Sequence, residues 1–422
     1  MANILGINLS ELSAADVLKK CQEFLAGQTS YYLVTPNPEI VQAAHQDEEL
    51  FYILNKADLA IADGFGLKLA GWLFGQAIPR LTGADLTIEL LKLAQKEKIK
   101  VAIIYWREGL SNQQDIRQML TNKFPGINAL VLEAEKEVKQ PEIIKALNNY
   151  SPHLLFVTFG FPAQEKFIYH NLKNLSSVRL ALGVGGSFDF LTGKTKRAPH
   201  LWRSLGLEWF WRLIMAPRNE FYKQRQQRIY RATFIFIKKI LRARFISRFL
   251  YRPNIACLLY KSTPAGEKIL IVEREDEASH WQLPQGGTDG EPLEIAGTRE
   301  LREELGTDKF SIVKTYPNLF RYNFSEIIGN DSPDLKPNIS NIHASRRLIF
   351  DYKGQKQGLL IARFTGQDED IKINFWDHQA WRWVEAKNLV QEVHACRQKS
   401  ALIFLEKFNN LMLNQTTDKK IN

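Results

Sequence analysis

The run Arg299-Glu300-Leu301-Arg302-Glu303-Glu304 places three carboxylates within about one helical turn. Residues three and four apart share a helical face, so Glu300, Glu303 and Glu304 crowd one another. Like charges this close repel unless a cation sits among them. Oxygen-rich clusters suit Mg²⁺ or Mn²⁺, which leave coordination positions for phosphate oxygens. The chemistry implied is metal-dependent attack on a phosphoanhydride. Upstream, Gly286 and Gly287 open a turn that ends in Glu291. A solvated acidic helix face is the plainer alternative, and it explains fewer of these spacings.

A second set of polar residues lies in the first half. Thr35 and Asn37 follow one apolar run, and Asp63 follows another. Arg80 and Asp85 flank Leu81-Thr82-Gly83-Ala84. Gln164 and the glycines Gly185 and Gly186 follow two further runs, with Arg197 and Arg212 beyond them. Glycine at a strand's end lets backbone approach a ligand, and free amides there favour a diphosphate. Each feature alone also reads as an ordinary turn or helix cap.

The elements that must position these residues alternate. Residues 31–35, 59–62, 101–105, 154–159 and 180–184 read as buried strands, with helical spacing over 38–55 and 86–96. Strands alternating with helices predict a parallel sheet covered on both faces. Ligands of such sheets bind beyond the carboxyl ends of the strands, where the polar residues above fall. Residues 197–252 are rich in Lys and Arg, with Glu208 and Glu220 the only acids. Aromatic and aliphatic residues interleave them. This predicts a basic amphipathic helical segment, suited to an anionic membrane surface, to its own domain or to RNA. From residue 253 short strands are expected over 255–260, 269–272 and 359–364. Helices are expected over 293–305 and 400–412, and a polar loop over 323–346.

The whole chain is consistent with this division. Its 422 residues suit two or three domains, and 45% hydrophobic with 24% charged residues is globular composition. Cys21, Cys257 and Cys396 are far apart and show neither paired metal spacing nor a disulfide framework, which fits a reducing compartment. The first residues lack a signal peptide's pattern, and no apolar run reaches the ~18–20 residues of a membrane span. The expected location is cytoplasmic, either free or peripheral at the inner face of the plasma membrane.

The segment from Gly286 to Gly306 resembles the Nudix box. From Glu291 the match is complete, whereas four residues instead of five separate Gly286 from Glu291. With Trp281-Gln282-Leu283-Pro284-Gln285 before it and Trp381-Arg382-Trp383-Val384 after it, the region resembles RNA pyrophosphohydrolases and dinucleoside polyphosphate hydrolases. The resemblance implies Glu300, Glu303 and Glu304 as ligands of Mg²⁺ or Mn²⁺. It implies that Arg299 orients them and that Glu291 pairs with Arg299. A dinucleoside polyphosphate, a 5′-triphosphate RNA end or a UDP-sugar would be the substrate. A rival reading is a non-catalytic domain that binds nucleotide or RNA and regulates the other half.

The ordered motifs of residues 5–240 resemble the WecG/TagA/CpsF family, glycosyltransferase family 26. The resemblance implies transfer of an N-acetylmannosamine-type sugar from a UDP donor to a lipid-diphosphate-linked acceptor. It implies Asp63 as general base with Thr35 in the catalytic group, and Asn37 and Gln164 as sugar contacts. Arg80 and Asp85 match the family pattern or form an ion pair. This half has no Asp-any-Asp pair, so no metal is expected in it. Arg197, Arg212 and the amides near Gly185 and Gly186 are then candidates for the diphosphate. The resemblance departs at Tyr105-Trp106-Arg107-Glu108-Gly109, where the family carries a Gly-rich turn.

The expected architecture is a Rossmann-like α/β glycosyltransferase domain over 1–200, a basic helical appendage over 201–250, a Nudix α/β/α sandwich over 251–412 and a disordered tail over 413–422.

Overall fold

A computed structural model describes residues 1–199, 202, 220–324 and 352–421. The chain divides into two compact units, Met1–Arg244 and Phe245–Asn422. Arg212 and most of the stretch 323–346 lie outside the described residues.

The first unit opens with a hairpin of β1 (Ala2–Ile4) and β2 (Ile7–Leu9). Its main sheet holds β3 (Tyr31–Val34), β4 (Leu59–Ala60), β5 (Val101–Trp106), β6 (Ala129–Ala134), β7 (Leu154–Val157) and β8 (Leu180–Gly183). The spatial order is β4-β3-β8-β7-β5-β6, and every pairing is parallel. Strands of such a sheet are buried on both faces, which explains their unbroken apolar runs. Leu33, Ile103, Phe156 and Leu182 enter one core with Leu86, Leu90 and Ile116 of the helices. The alternate residues Ala102, Ile104, Leu155 and Ala181 are buried as well.

Three expectations change here. The helical stretch 38–55 is two helices, Pro38–Ala44 and Glu48–Lys56. Asp47 separates them because its carboxylate accepts from Leu50 N–H at 3.0 Å and starts a new helix. The helix expected from residue 86 begins at Gly83, capped by Thr82. Strand β6 has a weak sequence signal because it is an edge strand and is only partly buried.

The helix Glu220–Phe245 carries part of the basic segment, of which residues 203–219 lie outside the described residues. Phe236, Ile240 and Ala243 form its buried stripe, at helical spacing. Phe236 lies 3.6 Å from the position a Cβ on Gly66 would take. Arg244 Nε donates to Leu73 O at 3.0 Å. The helix therefore packs on the neighbouring helix Phe65–Leu73.

The second unit is a mixed sheet of β9 (Tyr251–Thr263), β10 (Gly266–Arg274), β11 (Trp281–Gln282), β12 (Gln285–Gly287), β13 (Phe310–Asn323), β14 (Gly354–Phe364) and β15 (His378–Glu385). Its order is β11-β10-β9-β14-β13, with β12 on β9 and β15 on β10. Strand β9 shows why a helix covers each face. Ile255, Cys257 and Leu259 meet Ala296, Leu301 and Leu305 of the helix Leu293–Leu305. Ala256, Leu258 and Tyr260 meet Phe404 and Phe408 of the helix Gln398–Ile421. Side chains alternate across a strand, so one sequence serves two cores.

Strands β13 and β15 carry little sequence signal. Pro317 interrupts β13, and the register shifts between Tyr316 and Phe320 to accommodate a residue with no N–H. The last helix runs to Ile421, through residues where polar composition predicts a disordered tail. Extending a helix already anchored by Phe404 and Phe408 adds one hydrogen bond per residue, so polar residues can follow it.

Candidate active sites

In the first unit the polar residues gather at the carboxyl ends of four adjacent strands, β4, β3, β8 and β7. Thr35 is buried directly after β3. Asn37 caps the helix Pro38–Ala44, its Oδ1 accepting from Glu39 N–H at 2.9 Å and Ile40 N–H at 3.0 Å. Asp63 N–H donates to Pro36 O at 2.8 Å, which brings the end of β4 against the end of β3. Asp63 Oδ2 accepts from Gly83 N–H at 3.3 Å. A Cβ on Gly83 would lie 3.3 Å from Thr35 Oγ1 and 3.7 Å from Asp63 Oδ2, so both groups border one small space. Gly64, at φ +109°, makes the turn that returns the chain beside Asn37.

Asp85 holds Arg197. Its Oδ1 is 2.8 Å from Arg197 Nη2, and its Oδ2 accepts from Thr82 Oγ1 at 2.6 Å. Arg197 Nη2 also donates to Thr82 Oγ1 at 3.2 Å. Thr82 thus caps its helix and bridges to Arg197. The sequence contains the signal for this role, since Thr82-any-any-Asp85 is a capping-box pattern. Arg197 Nε is buried and has no hydrogen-bond partner among the described residues. Arg80 is half-buried immediately before Leu81, whose N–H donates to Ala62 O at 3.3 Å beside Asp63.

Gln164 acts as a strut. Its Oε1 accepts from Gly160 N–H at 3.1 Å and Gly185 N–H at 2.9 Å, tying the loops after β7 and β8. Its Nε2 donates to Glu165 Oε1 at 2.8 Å. A Cβ on Gly183 would lie 2.6 Å from the Gln164 amide, so this close packing requires glycine. The Gly185 amide expected to face a diphosphate is therefore already donated, leaving Gly186 and the turn it begins. Glu165 is fully buried, and burial pushes its carboxyl up to about 7. After β5, Arg107 pairs with Glu133 and Glu135, so the bulky residues there are tied to the sheet edge.

In the second unit the cation found among the acids is a guanidinium. Arg299 Nε donates to Glu291 Oε2 at 2.9 Å, and Nη1 donates to Glu300 Oε1 at 2.7 Å and Glu303 Oε2 at 3.1 Å. Its Nη2 donates to Gly287 O at 2.8 Å. Burial opposes its charge, but Glu300, Glu291 and Glu303 outweigh that and raise its pKa above the ordinary value. Glu291 meets Arg299 although the preceding loop is one residue short. Glu304 turns elsewhere: its Oε1 accepts from Gln285 N–H at 3.4 Å, and its Oε2 lies 3.0 Å from His378 Nε2. His378 belongs to no motif, and only the pairing of β15 with β10 brings it here.

The three glutamates therefore share a helix but not a single compact cluster. Among the described residues, the three-residue group with ligand atoms all within 4.8 Å is His280, His394 and Cys396. The acids still fit a divalent ion by type. Glu300 and Glu304 are buried carboxylates beside bare backbone, and a Cβ on Gly286 would lie 1.9 Å from Glu300 Oε2. Carboxylate and carbonyl oxygens are hard donors suited to Mg²⁺ or Mn²⁺.

Both units have relatives. The family model "Glycosyl transferase WecG/TagA/CpsF family" matches residues 2–249, and the NUDIX domain model matches residues 250–402. An N-acetylglucosaminyldiphosphoundecaprenol N-acetyl-beta-D-mannosaminyltransferase of Bacillus subtilis is 31% identical over 216 residues, covering 51% of this chain and 82% of the relative. Its Staphylococcus aureus counterpart is 29% identical over 218 residues, covering 50% and 84%. Among solved structures, a C. elegans Ap4A hydrolase in a binary complex matches 39% of this chain and 98% of its own, at 18% identity and TM-score 0.27. The NUDIX domain of Shewanella oneidensis NrtR complexed with ADP ribose matches 39% and 90%, at 17% identity and TM-score 0.26.

The chain is thus a two-domain enzyme, a glycosyltransferase domain followed by a Nudix hydrolase domain. It belongs to the WecG/TagA/CpsF glycosyl transferase family.

Proposed function

We propose that the first domain transfers an N-acetylmannosamine-type sugar from a UDP donor to a lipid-diphosphate-linked acceptor. The observation that carries this reading is the shared space bordered by Thr35 Oγ1 and Asp63 Oδ2. Asp63, oriented by Gly83 N–H, takes the proton of the acceptor hydroxyl as that oxygen attacks the anomeric carbon. Thr35 and the Nδ2 of Asn37 orient the sugars. The departing UDP carries its charge toward Arg197, which Asp85 and Thr82 hold in place, and toward the backbone at Gly186. Arg80 lines the same edge, and Gln164 keeps the two loops at a fixed spacing.

The second domain, on this proposal, hydrolyses a nucleoside diphosphate linked to another moiety: a dinucleoside polyphosphate, a 5′-triphosphate RNA end or a UDP-sugar. Glu300, Glu303 and Glu304 would hold Mg²⁺ or Mn²⁺, which when bound polarises phosphate oxygens and lowers the pKa of water. Arg299 fixes two of these carboxylates and the Gly287 carbonyl, so the site is ordered before substrate enters. Tight packing of Glu300 on Gly286 keeps other side chains out.

Contact with an anionic membrane surface supplies the lipid acceptor. Phe65, Leu69 and Trp72 are exposed on one helix, and Phe234, Ile235, Ile237 and Leu241 on the helix packed against it. Lys238 and Arg242 are exposed among them. Apolar side chains mixed with cations suit a headgroup layer. Among the described residues no helix is long and apolar enough to cross a membrane.

The deciding experiment is product analysis of the full chain against UDP-sugars with a lipid-diphosphate acceptor and against a nucleotide panel, with and without Mg²⁺. Sugar transfer without added metal and metal-dependent nucleotide hydrolysis are expected. Hydrolysis unaffected by chelation would overturn the second assignment, and absence of transfer across the panel would overturn the first.

A further inference from the structure

The second unit brings together three side chains that neither reaction uses. His280 ends the connection from β10 to β11, while His394 and Cys396 precede the last helix. Cys396 Sγ lies 3.1 Å from His394 Nδ1 and 4.0 Å from His280 Nε2. In a tetrahedral site with metal–nitrogen bonds of ~2.0 Å and metal–sulfur bonds of ~2.3 Å, such atoms stand roughly 3.5 Å apart. The two distances bracket that spacing.

A fourth residue orients His280. His280 Nδ1 lies 2.8 Å from Glu277 Oε2, and the same carboxylate's Oε1 lies 3.9 Å from His394 Nε2. A carboxylate only accepts, so the His280 proton sits on Nδ1 and the Nε2 lone pair is left on the Cys396 side. This arrangement, a carboxylate behind an imidazole, is that of metal-ligating histidines. His394 is positioned by its backbone, whose N–H donates to Trp281 O at 2.9 Å.

We propose that His280, His394 and Cys396 form a site for a borderline transition ion of the Zn²⁺ class, with solvent as the fourth ligand. Imidazole and thiolate donors select such ions over Mg²⁺, which the glutamates suit. On binding, the Cys396 thiol proton goes to solvent. The two imidazoles are stacked, with ring centroids 4.2 Å apart and planes 11° apart, so the partly exposed His394 ring must turn to bring its lone pair to the ion. The bound ion clips the segment after β10 to the start of the last helix, joining residues 116 positions apart in sequence.

The test titrates the full chain with Co²⁺ as a spectroscopic probe and Zn²⁺ as competitor. One equivalent of Co²⁺ should produce thiolate-to-metal charge-transfer absorption, removed by Zn²⁺ and retained in excess Mg²⁺. Cys396→Ser and His394→Asn should abolish it, while Glu303→Gln should leave it unchanged. No such absorption in the wild type, or its persistence in Cys396→Ser, overturns the proposal. Alkylation of wild-type Cys396 is an independent readout needing no variant. Zn²⁺ should slow it about tenfold or more, and unslowed labelling would refute the site.

Discussion

At the carboxyl edge of the parallel sheet, Asp63 is oriented by a backbone amide from a distant helix start. On the Leu293–Leu305 helix, Glu300 and Glu303 share one guanidinium with Glu291. The first site is assembled from four strand ends, each supplying one or two groups. The second is concentrated on one helix and the loop before it. An assembled site depends on struts such as Gln164, which contribute spacing. A concentrated site depends on charge balance, because one guanidinium, Arg299, offsets Glu291, Glu300 and Glu303 together.

This contrast can be broken by experiment. Asp63→Asn should lower sugar transfer by roughly 10²–10⁴-fold and leave nucleotide hydrolysis intact, since a positioned base contributes about that much. Undiminished transfer in radiolabelled-sugar assays would remove Asp63 from the mechanism. Glu303→Gln should have the reciprocal effect, a loss of hydrolysis of about 10³-fold, corresponding to several kcal/mol of charge stabilisation. Its exposed position means that the melting temperature should hold.

Arg299→Lys sharpens the charge-balance half of the comparison. A lysine cannot reach Glu291, Glu300 and the Gly287 carbonyl together, so hydrolysis should drop roughly 10–100-fold. An equal drop in Arg299→Ala is compatible with this, but full activity in Arg299→Lys would refute the clamp. Gln164→Met tests the strut. It keeps the volume but strands the Gly160 and Gly185 amides, at a cost of about 1–3 kcal/mol in urea unfolding of the first unit. No change in stability would show that these bonds are dispensable.

The smallest expected effect is a pH dependence. Buried Glu165 has a pKa near 7 in the folded chain, raised from an ordinary 4.5. A raised carboxyl binds its proton more tightly when folded, so its contribution is full below pH ~4.5 and fades as pH rises through about 7. Glu165→Gln should flatten that slope and gain on the wild type toward pH 8. Parallel stability curves for the two proteins would show that Glu165 does not titrate in this window.

Many residues of both candidate sites stand out in the sequence, for local reasons. The helix Leu293–Leu305 carries the proposed ligands and Arg299, and its C-terminal glycine follows, all within fourteen residues, from Leu293 to Gly306. The parallel sheet announced itself through apolar runs, while β6, β13 and β15 did not, being partly buried or interrupted by Pro317. Gln164 was visible as a polar residue after a strand, but its use as a strut was not, because its partners are backbone amides.

The amino-acid order by itself determined the two domain types and the side chains available for chemistry, because periodicity and helical spacing are properties of neighbouring residues. The tertiary structure alone decided which groups meet. It set Asp63 against Gly83, Arg197 against Asp85, His378 against Glu304, and His280 beside Cys396. Those encounters arise from strand order and crossovers, and contacts between residues far apart in the chain leave no periodic trace along it.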